Sequence, residues 1–457
     1  AMDTDTICVT TDRPVVVPCF GSKMDQMQFD AARFVDLLGK LIGNSEQLQN
    51  SPPDLIPKED LTADAVIAYL QPYTKDHGGV LAIKKCTYIP GRSNLIITYN
   101  PKSLKQIVSF VGSHMDVVPA NPEEWSVPPF ALTQNGDKLY GRGVTDCLGH
   151  VAMIAEMFRN LAIHKPDLNV AVVAVFISSE ENQSIADVGI DGMQKHGELT
   201  FLKEGPLIWV DSANFGPTLG TAGVVAWQLD FTGKLFHSGL PHKAINAIEF
   251  SAVVMQYLQK RFHDDFAAGP DEERYKFITG CSMKATQISV PKGGLNQIPG
   301  ECRLQGDIRI TPFYEPKSVM ATVERYLAEL DVKTLPSFGY GRYELPDEGI
   351  RGTVKLTWLS EPWAGIACNL DSPGFRALDS AIVKVKGKSS AFSLTGSLPL
   401  VGDLQQQGFD VQICGFGCME AYHAVDEYGH LSEFGQGFEV LVDVIKQISS
   451  SATAVKM

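Results

Sequence analysis

Several apolar, β-branched runs in this chain end in acids or imidazoles. The run QIVSFVGSHMDVVP delivers His114 and Asp116 at alternate positions. Residues two apart on a strand point to the same face, so both can converge on one centre. In GRGVTDCLGH, glycines let a tight loop present Asp146 just ahead of a helix. AVVAVFISSEEN ends in Glu180 and Glu181, PLIWVDSA reaches Asp211, and CMEAYHAVDE offers His423 beside Asp426 and Glu427. Taken singly, each has a plainer reading: a hydrogen-bonded strand-end histidine, or a solvated acidic turn. Their coincidence at the ends of several strands is another matter. Clustered carboxylates repel unless a cation or proton neutralises them. A mixed His/carboxylate set suits zinc, and a two-metal site needs ligands for each ion and a shared bridge.

The elements that must position these residues alternate in type. SNLIITYN, QIVSFVGSHMD, NVAVVAVFISSEE and PLIWVDSA read as strands, with helical patterns such as 147–161 between them. That order predicts an α/β domain with a mostly parallel central sheet, whose functional groups collect beyond the carboxyl ends of the strands. From about Gly220 the rhythm changes. A strand at 224–234, a helix over 243–262, strands at 284–290 and 302–311, a helix over 316–330 and a strand at 353–359 follow in turn. This β-α-β-β-α-β order predicts a ferredoxin-like domain over 220–362. Residues 1–219 and 363–457 then form one discontinuous domain around it, with 335–352 a loop of the insert and glycine- and proline-containing junctions near 216–223 and 360–365.

Composition narrows the classes further. The 457 residues are 44% hydrophobic and 20% charged, enough to bury a sizeable core. Lys and Arg number 39 against 53 Asp and Glu, a net charge of −14 with no basic run, which disfavours nucleic acid and anionic membranes. Apolar runs such as 170–177 fall far short of a membrane span. The opening AMDTDTICVTTDRP has neither a basic nor an apolar leader region, so no secretory signal is expected. Nine cysteines without paired spacing predict reduced thiols in a cytoplasmic protein.

The strings SHMDVVP, GRGVTDCLGH, SSEEN, FHSGLPHKAINAIE, GGLNQIPGECRLQGDIR, TGSLP and YHAVDE occur in an order that resembles the M20 metallopeptidases, the aminoacylase and carboxypeptidase G2 type. GRGVTDCLGHVA, FTGKLFHSGLPHKAINA and GDIRITPFYEP are most similar to its eukaryotic acetylornithine deacetylase branch. The resemblance implies a zinc-peptidase-like catalytic domain with two Zn²⁺ bridged by Asp146. One ion would also be held by His114 and Asp211, the other by Glu181 and His423. Co²⁺ or Mn²⁺ are alternatives, since borderline ligand sets accept several metals. Asp116 would orient His114, and Glu180 would stay off the metals as general base for the attack of water on an amide.

In the insert, the resemblance implies a lid and dimerisation domain. His237 would donate to the oxyanion of a neighbouring subunit's site, and Asn296 and Arg309 would grip the substrate carboxylate; a buried turn histidine and a surface salt bridge are the blander readings. His242 reads as an exposed helix-start residue. Two departures from the family pattern stand out. Leu148, Gly149 and His150 replace the usual Lys-Gly-Gly, and Asp211 stands where many members have Glu. His150 falls a turn inside the helix and is taken as structural. The implied reaction is hydrolysis of N2-acetyl-L-ornithine in arginine biosynthesis by a homodimer acting on a small N-acyl amino acid. Aminoacylase or short-peptide hydrolysis is the alternative, and a catalytically silent binding homologue a more distant one. Thr395, Ser397 and Asp403 have two readings: lining of the substrate cleft, with Asp403 meeting a cation, or a capped loop with a solvated aspartate.

Overall fold

The computed structural model describes residues 23–454 apart from 100–104, 338, 340, 341 and 399. The N-terminal stretch, with Cys8 and Cys19, lies outside the described residues.

Alternating burial builds the larger sheet. In the strand Ala171–Ile177, Val172, Ala174 and Phe176 enter one apolar cluster while Val173, Val175 and Ile177 enter another on the opposite face. A strand buried on both sides reads as a continuous apolar run for this reason. Edge to edge, the sheet runs Ala82–Ile89, Arg92–Tyr99, Ala171–Ile177, Ile107–His114, Pro206–Val210, Asp410–Cys414, Thr218–Thr221 and Ile366–Ala367, with Phe392–Leu394 also paired to Thr218–Thr221. The strands from Ala171–Ile177 to Asp410–Cys414 pair in parallel; both flanks are antiparallel except for Phe392–Leu394, which pairs in parallel with Thr218–Thr221. The sheet is therefore mixed, with the expected parallel pairing at its centre, where the polar strand ends gather. Arg92–Tyr99 follows too closely on its hairpin partner Ala82–Ile89 for a parallel crossover.

One face is covered by the helices Ala31–Asn44, Asp60–Leu70, Leu148–His164, Pro373–Lys386 and Leu431–Ala454. Asp30 and Ser372 cap two of them by accepting from Arg33 N and Phe375 N, contacts worth about 1 kcal/mol each. Leu148–His164 is buried almost all round and lies at the centre of this layer. Close approach matters at Gly112 (φ +96°): a Cβ there would lie 2.5 Å from the Trp209 ring, so glycine lets the His114 strand pack beside Pro206–Val210.

Residues Gly223–Trp358 make a second sheet, ordered Ser282–Ser289, Glu301–Ile310, Gly223–Thr232, Thr353–Trp358 and antiparallel throughout. The helices Ala247–Asp265 and Pro316–Ala328 cover one face, around Trp227, Phe231, Phe250, Phe262 and Tyr326. The first helix starts at Ala247 rather than 243, because Pro241–Lys243 forms a separate 3-10 turn and Asn246 is the cap, accepting from Ile248 N and Glu249 N. The two connections to the larger sheet run side by side: Val224 N donates to Trp363 O at 3.0 Å and Trp363 N to Val224 O at 2.9 Å.

Candidate metal centre

The parallel strands end at one place, and their polar endings meet there. His114 closes its strand, Glu180 and Glu181 follow Ala171–Ile177, Asp211 follows Pro206–Val210, and His423 lies on the loop beyond Asp410–Cys414. Asp146 comes from the turn before Leu148–His164 and stands between the two imidazoles. Its Oδ1 is 2.9 Å from His114 Nε2 and its Oδ2 is 3.0 Å from His423 Nε2. On the His423 side, Glu181 Oε2 is 3.1 Å from the same Nε2. On the His114 side, Asp211 Oδ1 and Glu180 Oε2 each lie 4.0 Å from His114 Nε2. Two donor sets share Asp146: His114, Asp146, Cys147 and Asp211, and Asp146, Glu181 and His423, each with ligand atoms within 4.8 Å of one another.

Cations fit this arrangement. Burial and the Asp211 carboxylate push Glu180 well above the usual range for a glutamate. Burial and Asp146 push Glu181 up to about 7, and burial pushes Asp211 up to about 7. Hydrogen bonds to Asp146 and Glu181 raise His423 to about 10. Burial works against a charge on His114, yet its bonds to Asp116 and Asp146 hold its pKa well above the ordinary value. Divalent cations between these acids and imidazoles would neutralise the same carboxylate charges. Glu181 Oε1 is buried with no hydrogen-bond partner among the described residues, a lone pair aimed at nothing the protein supplies.

Asp116 does more than orient an imidazole. His114 Nδ1 lies 2.9 Å from the Asp116 carbonyl oxygen and 3.4 Å from its Oδ1. The same carboxylate accepts Glu180 N at 3.1 Å, Glu181 N at 3.0 Å and Asn50 Nδ2 at 2.7 Å. Burial opposes its charge, but these donors outweigh it and hold Asp116 below the usual range. Ser179, just ahead of the glutamates, takes a left-handed backbone (φ 59°), as does His423 (φ 55°). Strained backbone of this kind persists where surroundings over-determine it.

Glu427 carries a structural task that the sequence alone did not disclose. Fully buried, it accepts Thr145 N at 2.8 Å and Asp146 N at 3.0 Å on one oxygen. The other oxygen takes Gly143 N at 3.0 Å and Arg142 Nη1 at 2.6 Å. The loop that presents Asp146 is thus wrapped around a carboxylate from the far end of the chain. Asn50 escaped notice as well. The only signal available was the position of Glu427 four residues after His423, and Asn50 offered none.

A cavity of about 280 Å³ opens onto Asp146, Glu180, Glu181, Asp211 and His423, with Tyr422 and Ser397 on its wall. Asp403 lies elsewhere, beside Pro316 and Gly365 in another hollow, and Thr395 does not line this cavity. His150 is structural: it is fully buried, and its Nε2 accepts Phe416 N at 2.8 Å. His242 is exposed. His237, Asn296 and Arg309 are not among the residues lining the cavity. His237 and Asn296 are exposed neighbours in a short ribbon, Ser238 N donating to Asn296 O at 2.9 Å, while Arg309 Nε pairs with Asp307 Oδ2 at 2.9 Å.

The chain resembles known proteins along most of its length. It is 50% identical to acetylornithine deacetylase of Arabidopsis thaliana over 423 residues, covering 92% of this chain and 96% of that one. It is 44% identical to acetylornithine deacetylase of Dictyostelium discoideum over 429 residues, covering 91% and 96%. Among solved structures, human carnosine dipeptidase 1 superposes with a TM-score of 0.68 at 17% identity, over 94% of this chain and 98% of that one. A dinuclear metal binding peptidase of the M20 family from Bacillus subtilis superposes with a TM-score of 0.58 at 14% identity, over 92% and 99%. The model of peptidase family M20/M25/M40 matches residues 110–447. With its acids and imidazoles gathered at the strand ends, the chain belongs to peptidase family M20/M25/M40 and is a hydrolase of amide bonds.

Proposed function

We propose that this protein removes the acetyl group from N2-acetyl-L-ornithine, giving L-ornithine and acetate as a step of arginine biosynthesis. The reading is carried by the 50% identity to the Arabidopsis thaliana acetylornithine deacetylase over nearly the whole of both chains. The donor chemistry supports two zinc-class ions, one held by His114, Asp146 and Asp211 and one by Asp146, Glu181 and His423. When bound, such ions polarise an amide carbonyl and lower the pKa of water.

The chain's own residues do the rest. Glu180 faces the cavity, its carboxylate with no hydrogen bond among the described residues and 4.0 Å from His114 Nε2. It takes the proton of the attacking water and returns one to the leaving amine, as a general base and then acid. Asp116 fixes both the His114 ring and the Glu180 and Glu181 amides. We assign His237, Asn296 and Arg309 to the site of a second subunit, where they would meet the oxyanion and the substrate carboxylate. A homodimer through residues 220–362, acting as lid and interface, is favoured by the edge strand Ser282–Ser289, whose Ile288 is 61% exposed, and by exposed Leu235 and Leu295 nearby.

No described helix is long and apolar enough to cross a membrane. The described cysteines are free and buried, the state of a reducing compartment, which favours the cytoplasm. Parallel turnover of N-acetyl-ornithine, N-acetyl-methionine and a dipeptide tests the substrate. N-acetyl-ornithine should be preferred, and a higher kcat/KM on either rival would overturn the assignment.

A further inference from the structure

Behind the loop that carries His423 lies a second set of donors that the hydrolytic reading does not use. Cys418 starts that loop's 3-10 turn, His430 ends the short strand Tyr428–His430, and Glu433 sits in the first turn of Leu431–Ala454. Their ligand atoms lie within 4.8 Å of one another. Cys418 is buried, whereas His430 and Glu433 are half-buried and within reach of solvent. None of the three lines the cavity of the Asp146 centre.

We propose that Cys418, His430 and Glu433 form a separate binding site for one thiophilic divalent cation of the zinc class. Two orientations support it beyond proximity. His430 Nδ1 lies 3.2 Å from Asp137 Oδ2, and Asp137 is itself fixed by Ser432 N at 2.8 Å and Ser432 Oγ at 2.7 Å. A carboxylate holding one ring nitrogen sets the tautomer and leaves the other nitrogen's lone pair available, the arrangement that metal-binding histidines ordinarily show. Glu433 divides its oxygens: Oε1 faces Lys386 Nζ at 3.6 Å, and Oε2 faces Cys418 Sγ at 4.0 Å.

The donor types choose the ion. A thiolate with imidazole and carboxylate selects zinc, cobalt or cadmium over magnesium and calcium, which prefer all-oxygen shells. Zinc bonds of about 2.0–2.3 Å require these donors to draw together, which two half-buried side chains can do by rotamer adjustment. Three protein ligands leave a fourth position to solvent. The site also touches the catalytic loop, since Cys418 N donates to Thr145 Oγ1 at 3.2 Å, one residue before Asp146. A cation here ties the loop bearing His423 to the start of the C-terminal helix.

The test uses the full chain, stripped of metal by chelation and titrated with Co²⁺ and, separately, Zn²⁺. Wild type is expected to bind one equivalent more than Cys418→Ser, and its Co²⁺ form to show a thiolate-to-cobalt absorption that Cys418→Ser lacks. Glu433→Gln, a milder change that removes only the charge, should weaken that extra equivalent at least as much as loss of an outer partner does, about tenfold. Equal metal content in wild type and Cys418→Ser would overturn the proposal. So would a thiolate band that survives Cys418→Ser and vanishes in Cys147→Ser, because Cys147 lies among the donors of the main centre. The difference of one equivalent is read without reference to hydrolysis, so failure of the substrate assignment leaves this test intact.

Discussion

The Asp116 carboxylate accepts the backbone N–H of Glu180 at 3.1 Å while its other oxygen accepts that of Glu181 at 3.0 Å. One buried acid therefore sets the direction of the proposed general base, a proposed metal ligand and the His114 imidazole together. Asp116→Ala should lower metal affinity by about 10–100-fold and reduce kcat at saturating metal as well. Metal titration with turnover measured at each step separates the two effects. Full recovery of kcat at high metal would confine Asp116 to the histidine.

Asn50 buttresses the same carboxylate from outside, through Nδ2 at 2.7 Å, and also reaches Asn182 O at 3.1 Å. Asn50→Ala leaves Asp116 its three other contacts but removes this charge-assisted bond, worth about 1.5–3 kcal/mol. The expected result is a fall in kcat with little change in KM, read from steady-state curves at fixed metal. An unchanged kcat would show that the glutamate backbone holds its place unaided.

Glu427 and Arg142 are a buried ion pair whose carboxylate also holds three backbone amides of the Asp146 loop. Removing one partner leaves an uncompensated buried charge, at about 3–5 kcal/mol. Glu427→Ala should therefore melt well below wild type and lose metal more readily. The double change Arg142→Met with Glu427→Met should recover part of the melting temperature but not the metal affinity.

His150 gives a pH signature. Burial lowers its pKa to about 4, against about 6.5 for an exposed histidine. The unfolded chain then binds more protons between these values, so stability is present above pH 6.5 and falls as pH drops toward 4, by about 3 kcal/mol in all. Denaturant melts across that range should show a shallower acid limb for His150→Gln than for wild type.

Much of the centre was legible because its residues sit at strand ends, where apolar runs stop abruptly at His114, Glu180 and Asp211. Period and polarity expose such endings without knowledge of pairing. The supports were hidden for the opposite reason. Asn50 meets Asp116, and Glu427 meets Arg142, across long stretches of chain, and neither residue's own neighbourhood predicts its partner. The elements of 220–362 were read in order with their ends displaced by a few residues, since a cap such as Asn246 competes with the earlier start read at 243. The pairing direction of the flanks is not set by burial, since a strand such as Arg92–Tyr99, buried on both faces, looks alike in either direction.

The insert's assigned role depends on a second subunit, because His237, Asn296 and Arg309 do not line the cavity of their own chain. Mixing His237→Ala and Glu180→Ala proteins, each inactive alone, should restore up to about a quarter of wild-type turnover if subunits exchange in a two-fold dimer. No recovery despite demonstrated exchange would place His237 in its own chain's site or in none.

The most direct measurement is metal content and N-acetyl-ornithine turnover of Glu180→Gln beside wild type. The protein should bind the same metal with the same stoichiometry and lose about 10²–10⁴-fold in kcat, because the proton carrier is gone while the ligands remain. Near-normal turnover with full metal content would contradict the role given to Glu180 and the mechanism built on it.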